Sequence, residues 1–211
     1  MPWRYLVFAL AFALVTAMTC GGESQPDPGA PGSGGEGEPL IGSGGQSVGS
    51  GPCAPGLLCA SSQGIAACAA FCDTDADCTG AGSLCIVSLE TSSGSPITDA
   101  RVCTASCDPT TASGCPAGIG SCQLAKESDG AGRAYTYCAA AGAGEQDAPC
   151  AAPTDCAPTF GCFTIGDVAS CLKYCDAADS ACPAGAACNA IQIDNDDVVV
   201  ANVHYGACVT P

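Results

Sequence analysis

The stretch CAAPTDCAPTFGCFTIGDVASCLKYC, residues Cys150–Cys175, decides how the rest of this 211-residue chain is read. Its cysteine ladder Cys156-x5-Cys162-x8-Cys171-x3-Cys175 stands upstream with the same spacing as Cys53-x5-Cys59-x8-Cys68-x3-Cys72. Recurrence at fixed spacing marks a tandem architecture in which each repeat is one small supersecondary unit. Reading outward gives a four-cysteine unit: C1, five to seven residues, C2, five or six residues, C3, a variable stretch, then C4. The complete units are Cys72, Cys78, Cys85, Cys103; Cys107, Cys115, Cys122, Cys138; Cys150, Cys156, Cys162, Cys171; and Cys175, Cys182, Cys188, Cys208. A first unit, Cys53, Cys59, Cys68, lacks its C1.

The variable stretch between C3 and C4, 8 to 19 residues long, reads as a β-hairpin. Gly166-Asp167 divides Phe163-Thr164-Ile165 from Val168. Ser128-Asp129-Gly130 precedes Ala134-Tyr135-Thr136-Tyr137, and Ser93-Gly94-Ser95-Pro96 turns the second unit. In the last unit Asp194-Asn195-Asp196-Asp197 parts Ala190–Ile193 from Val198-Val199-Val200. β-prone runs around a polar Gly/Asp/Asn turn are the hairpin signal. Changing the length of such a stretch extends only the hairpin or its tip.

Units this small need help to fold. From Cys53 onward only 24 of 159 residues are Leu, Ile, Val or Phe, below the fraction that supports a conventional core. Cysteine makes up 20 of the 211 residues, in the range of disulfide scaffolds. Large single-core enzyme folds are therefore not expected. Closing a loop of about 15 residues by a disulfide is worth roughly 3 kcal/mol in the chain-entropy model. Four cysteines allow three pairings, and spacing does not choose among them. The expected pairing is C1–C3 with C2–C4, which ties the N-terminal loop to both hairpin strands. Cys59 is then the orphan of the first unit, unless Cys20 pairs with it.

The start of the chain reads as an export signal at 1–19: Arg4, then the ten-residue apolar run Leu6–Val15, too short to span a bilayer. Val15-Thr16-Ala17 fits cleavage after Ala17. Thr16-Ala17-Met18-Thr19-Cys20 resembles a bacterial lipobox, with Ala17 where Leu is usual and Thr19 where Gly, Ala or Ser is usual. The lipobox reading makes Cys20 the lipidated N-terminus. Residues 21–52 hold 12 Gly, 5 Pro and 5 Ser, a composition that stays a coil and reaches on the order of 30 Å. The expected organisation is thus signal peptide (1–19), lipidated Cys20 and disordered tether (20–52), three units (53–138), a linker (139–149) and two units (150–211).

All 21 acidic residues follow Cys20, against Arg101, Lys126, Arg133 and Lys173. The mature part carries 4 − 21 = −17. Nucleic acid requires a basic patch, and no cluster exists to build one.

The units Cys72-Asp73-Thr74-Asp75-Ala76-Asp77-Cys78 through Leu84-Cys85, and Cys150-x4-Asp155-Cys156-x4-Gly161-Cys162, resemble the cysteine-rich N-terminal module of Dickkopf proteins. They share an acid beside C2 and a Gly ahead of C3. With its signal, tether and Ala/Gly-rich usage, the chain is similar to the cysteine-rich predicted lipoproteins of myxobacteria. That resemblance implies an address and a fold type, and no activity.

Other chemistry is weaker. C-x3-C occurs three times, but exported thiols oxidise rather than hold zinc. Asp73-x-Asp75-x-Asp77 opens like a calcium loop, yet Cys78 and Leu84 stand where Gly and Glu are needed. Asp194, Asp196 and Asp197 form a second acidic group on a turn. Gly45-Gln46-Ser47-Val48-Gly49 matches a hydrolase nucleophile motif that works only on a strand-to-helix turn. The single His204 lies in a strand pattern, and no C-x-x-C redox motif is present. No cofactor or metal is expected. The expected fold is small, disulfide-rich and mostly β-hairpin and loop. The expected role is a non-enzymatic binding or envelope-structural lipoprotein, anchored in the outer membrane by lipid. Hairpin tips Thr91–Asp99 and Glu127–Arg133 would face an extracellular protein or glycan. A secreted protease inhibitor using the loop around Arg101 is the alternative, and an exported hydrolase the next.

Overall fold

The computed structural model describes residues 41–42, 46–47, 57–62, 64–90, 95–128, 131–179 and 181–210. The expectations for the signal, Cys20, Cys53, the side chain of Cys59 and the loop tips 91–94 and 129–130 lie outside the described residues.

The structure is almost wholly antiparallel. Two short strands paired with each other, β1 (Ile41–Gly42) and β2 (Gln46–Ser47), precede the first hairpin, β3 (Leu57–Ser62) and β4 (Ile65–Cys72). Then follow β5 (Cys85–Glu90) with β6 (Pro96–Cys103), β7 (Gly120–Lys126) with β8 (Ala134–Ala140), and β9 (Phe160–Ile165) with β10 (Val168–Asp176). The last unit holds β11 (Ala187–Ala190), β12 (Gln192–Ile193), β13 (Asp196–Asp197), β14 (Val199–Val200) and β15 (Val203–Val209). The helical residues among those described are two single 3-10 turns, Asp75–Asp77 and Pro153–Asp155. No described helix is long and apolar enough to cross a membrane. Four of the residues assigned to a disordered tether, Ile41, Gly42, Gln46 and Ser47, are in strands, and Ser47 pairs with Cys68 on β4. Gln46 and Ser47 thus lie in a ladder, not on a strand-to-helix turn.

C3 and C4 stand directly opposite each other in every hairpin. The register pairs Cys59 with Cys68, Cys85 with Cys103, Cys122 with Cys138, Cys162 with Cys171 and Cys188 with Cys208. The turns follow their chemistry. Gly166, with φ +64°, opens the two-residue turn between β9 and β10, as a tight hairpin requires. The last unit departs from the single hairpin expected. Asp194-Asn195 turns β12 into β13, and Ala201-Asn202 turns β14 into β15, all four residues at positive φ. Asn and Asp tolerate that region. Ala201 carries no turn signal, so the second reversal was hidden in the sequence.

Two of the three-residue joints between units lie within continuous strands. β4 pairs with β3 through Ala70 and then with β6 at Phe71 and Cys72. β10 pairs with β9 through Lys173 and then with β15 from Tyr174 to Asp176. At the third joint Thr104 N–H donates to Leu84 O at 2.9 Å, while Ala105 bridges to Thr136. One hairpin hands its return strand to the next, so neighbouring units share backbone hydrogen bonds.

Of the stretch 139–149, expected as a linker, Ala139 and Ala140 complete β8, and from Gly142 onward it is bonded into the following unit. Gly142 and Gly144 N–H donate to Cys156 O and Asp155 O (2.7 and 2.9 Å), and Asp147 N–H donates to Cys171 O (2.9 Å). Apolar packing is concentrated at the C-terminal end. Phe163, Leu172, Tyr174, Ile191, Ile193, Val198, Val200, Tyr205 and Ala207 form one buried cluster, with Leu124 and Ala134 of the third unit against it. Elsewhere cysteines take a large share of the interior, as in the cluster of Cys72, Cys85 and Cys103.

Candidate functional site

Eight disulfides join described residues, and all four complete units pair alike. C1–C3 are Cys72–Cys85, Cys107–Cys122, Cys150–Cys162 and Cys175–Cys188. C2–C4 are Cys78–Cys103, Cys115–Cys138, Cys156–Cys171 and Cys182–Cys208. Of the three pairings open to the sequence, this one clamps the C1–C2 loop across both strands of the hairpin. C3 and C4 face each other across the ladder, yet each bonds to the loop. Cys68 is also disulfide-bonded, to a side chain outside the described set. No described cysteine is free. Disulfides at this density form outside the reducing cytosol, so the protein is exported or extracellular.

Carboxylates set the loop in two ways. Asp77, beside C2, accepts the backbone N–H groups of Asp73 and Thr74 on Oδ2 at 3.0 and 2.9 Å. Asp155 does the same for Ala151 and Ala152 at 2.7 and 2.9 Å. The acid beside C2 therefore fastens the two residues that follow C1. The N–H of Thr74 and that of Ala151 are the leading reasons that these carboxyls sit below the ordinary aspartate range. The other two units have longer C1–C2 loops and place the acid directly after C1. Asp108 Oδ1 accepts from Thr110 N–H and Asp176 Oδ1 from Ala178 N–H, both at 2.8 Å. This alternation went unread in the sequence, although Asp follows C1 in both.

Two carboxylates of the calcium-like triad, Asp75 and Asp77, meet hydrogen-bond donors of the protein itself. Asp75 Oδ1 accepts from Cys85 N–H at 2.8 Å, and Oδ2 pairs with Arg133. The Cys85 N–H, followed by the Arg133 guanidinium, lowers its pKa. Arg133 also forks onto Glu127 at 2.8–2.9 Å; it lowers the Glu127 pKa and has its own raised by the same contact. Lys126 Nζ donates to Asp196 Oδ2 at 2.7 Å and to Ile193 O at 3.3 Å. Asp194 is exposed in the turn, while Asp196 and Asp197, expected on the turn, form β13, where Asp197 is exposed and pairs with Gln192.

Arg101 is not on a loop. It lies in β6, paired with Cys72 on one side and Ser88 on the other, and donates to Asp73 O at 2.9 Å. Both backbone edges are occupied, so Arg101 cannot be presented as an extended strand to a protease cleft. His204 is exposed on β15 opposite Val199. The sulfurs of C1, C2 and C4 lie within 4.8 Å of one another in each complete unit, and all belong to disulfides.

One polar arrangement had no sequence signal. Tyr174 Oη donates to Gln123 Oε1 at 2.8 Å, and Gln123 Nε2 donates to Ser121 Oγ and Phe160 O at 2.7 and 2.9 Å. All three side chains are buried, and burial pushes the Tyr174 hydroxyl pKa strongly up. Burial likewise pushes Tyr205 up to about 12. A search against family models, curated proteins and solved structures finds no match to this chain.

Proposed function

We propose that this chain is a surface-tethered lipoprotein with a non-enzymatic binding or envelope-structural role. Its sulfur-locked units hold hairpin tips out toward an extracellular protein or glycan. The observation that carries the reading is the constant base beneath variable tips. C3 faces C4 in every hairpin and the complete units share one disulfide pairing, while the span between C3 and C4 ranges from 8 to 19 residues. Loops on a rigid scaffold are where binding residues concentrate. Val168 and Ile97, exposed by 65% and 43%, flank two of the tips and offer apolar contact. In this reading Cys20 carries the lipid and residues 21–52 are the tether to an outer membrane. Two further chains on the same cysteine would make the anchor firm, since a single acyl chain binds only marginally.

Intact mass and detergent partition of the protein expressed in a bacterial envelope test this. The proposal expects a chain starting at Cys20 with acyl mass, and loss of membrane partition in Cys20→Ala. An unmodified chain starting at Met18, with Cys20 in a disulfide, refutes the anchor. Binding to whole cells that survives Gly/Ser replacement of residues 91–95 and 128–132 refutes the role of those tips.

A further inference from the structure

The two disulfides of the Cys150–Cys171 unit differ in depth. Cys150 and Cys162, bonded to each other, are both half-buried. Cys156 and Cys171, bonded to each other, are both fully buried. Of the four complete units, this is the one whose C2 and C4 are both sealed while C1 and C3 both reach the surface. Gly144 closes over the inner bond: a Cβ at that position would stand 2.8 Å from Cys171 Sγ, and the Gly144 N–H is held by Asp155 O. The sulfurs of Cys150, Cys156 and Cys171 nevertheless lie within 4.8 Å of one another. A thiolate arriving from solvent meets the outer bond first, and one sulfur of that bond, Cys150, stands beside the inner bond.

We propose that Cys150 is an exchange relay, through which external thiols reach the buried Cys156–Cys171 bond. A dithiol reductant breaks Cys150–Cys162, is itself oxidised to its disulfide, and leaves two thiols. The Cys150 thiolate then attacks one sulfur of Cys156–Cys171. A new bond forms from Cys150 to Cys156 or Cys171, the old bond breaks, and the displaced sulfur leaves as a thiolate and takes up a proton. This second step moves no net electrons, as thiol–disulfide exchange requires. The new bond includes a surface cysteine, so a second dithiol can open it from outside. The unit therefore opens from the outer bond inward.

Dithiothreitol pulses on the full chain, at pH near the ordinary thiol pKa of about 8.5, test the relay by acid quench, alkylation and peptide mapping. In the double variant Cys150→Ser with Cys162→Ser, the inner bond is expected to open at least roughly tenfold more slowly than in the native protein. If the inner bond instead opened by local unfolding, removing the outer cross-link would speed it. Equal or faster opening in the double variant overturns the proposal. Cys162→Ser alone leaves Cys150 as a thiol. It is expected to yield molecules bonded Cys150–Cys156 or Cys150–Cys171 with the displaced cysteine alkylated. Recovery of only Cys156–Cys171 beside an alkylated Cys150 overturns it as well.

Discussion

Tyr174 Oη lies 2.8 Å from Gln123 Oε1, and this buried hydrogen bond joins the third unit to the joint between the fourth and the fifth. The ring of Tyr174 also packs edge-on to Phe163, with centroids 5.5 Å apart. Losing the hydroxyl leaves the amide oxygen of Gln123 buried without its donor. Such an acceptor costs about 1–3 kcal/mol. Tyr174→Phe, which keeps the packing, is expected to lower the unfolding free energy by that amount in chemical denaturation with disulfides intact. No change would show that the units do not lean on each other through this contact.

A second outcome concerns Thr159. Its φ is +72°, in a turn closed by Phe160 N–H to Ala157 O at 3.0 Å. The matching turns of the other complete units carry Gly82, Gly118 and Gly185 at positive φ. A β-branched residue is strained there, while glycine costs more chain entropy on folding. Thr159→Gly is expected to gain up to about 1 kcal/mol, with strain relief outweighing entropy. Gly82→Ala is expected to be destabilising, because its Cβ would run into Val200 Cγ1 at positive φ. Thermal unfolding of both variants checks the pair of opposite signs.

Acid should loosen the loops before it touches the sulfur bonds. Asp75, Asp77, Asp155 and Glu127 all have lowered pKa values. A carboxyl lowered in the folded state contributes stability that is complete above its ordinary value of about 4. That contribution is lost as pH falls through the lowered value. The melting temperature is expected to hold down to about pH 5 and to fall below pH 4. Asp77→Asn and Asp155→Asn should start lower at neutral pH and decline less steeply in acid. A native melting temperature flat to pH 2 would contradict the clasp.

Much of the fold was legible because covalent chemistry writes spacing into sequence. The hairpins, their variable lengths and the cysteines at their bases follow from cysteines flanking β-prone runs, as around Phe163–Ile165 and Val168. Spacing alone leaves three connectivities open; the expected C1–C3 with C2–C4 rested on tying the N-terminal loop to both hairpin strands, and it is the pairing found in all four complete units. The shared strands were hidden. Cys171-Leu172-Lys173-Tyr174-Cys175 reads equally as a joint between units or as one strand, and only tertiary pairing distinguishes them. The bonded segment at 139–149 looks like a linker because most of its bonds are made by the backbone, which leaves no side-chain pattern, and Gln146, whose amide also ties it to Cys208 O and Lys173 N–H, carries no local signal of those partners. Gln123 and Tyr174 are 51 positions apart, and nothing local marks either as the other's partner. Arg101 looked like a loop cation because the second hairpin is long, but its position five residues after Pro96 sets it deep in β6.

The most direct test of the account is the amide NMR spectrum of the native protein before and after complete reduction by a phosphine at neutral pH. Sulfur cross-links at the hairpin bases are expected to hold this architecture together, so the dispersed β-sheet resonances should collapse to random-coil positions across all units. A reduced chain that keeps its dispersed spectrum would contradict it.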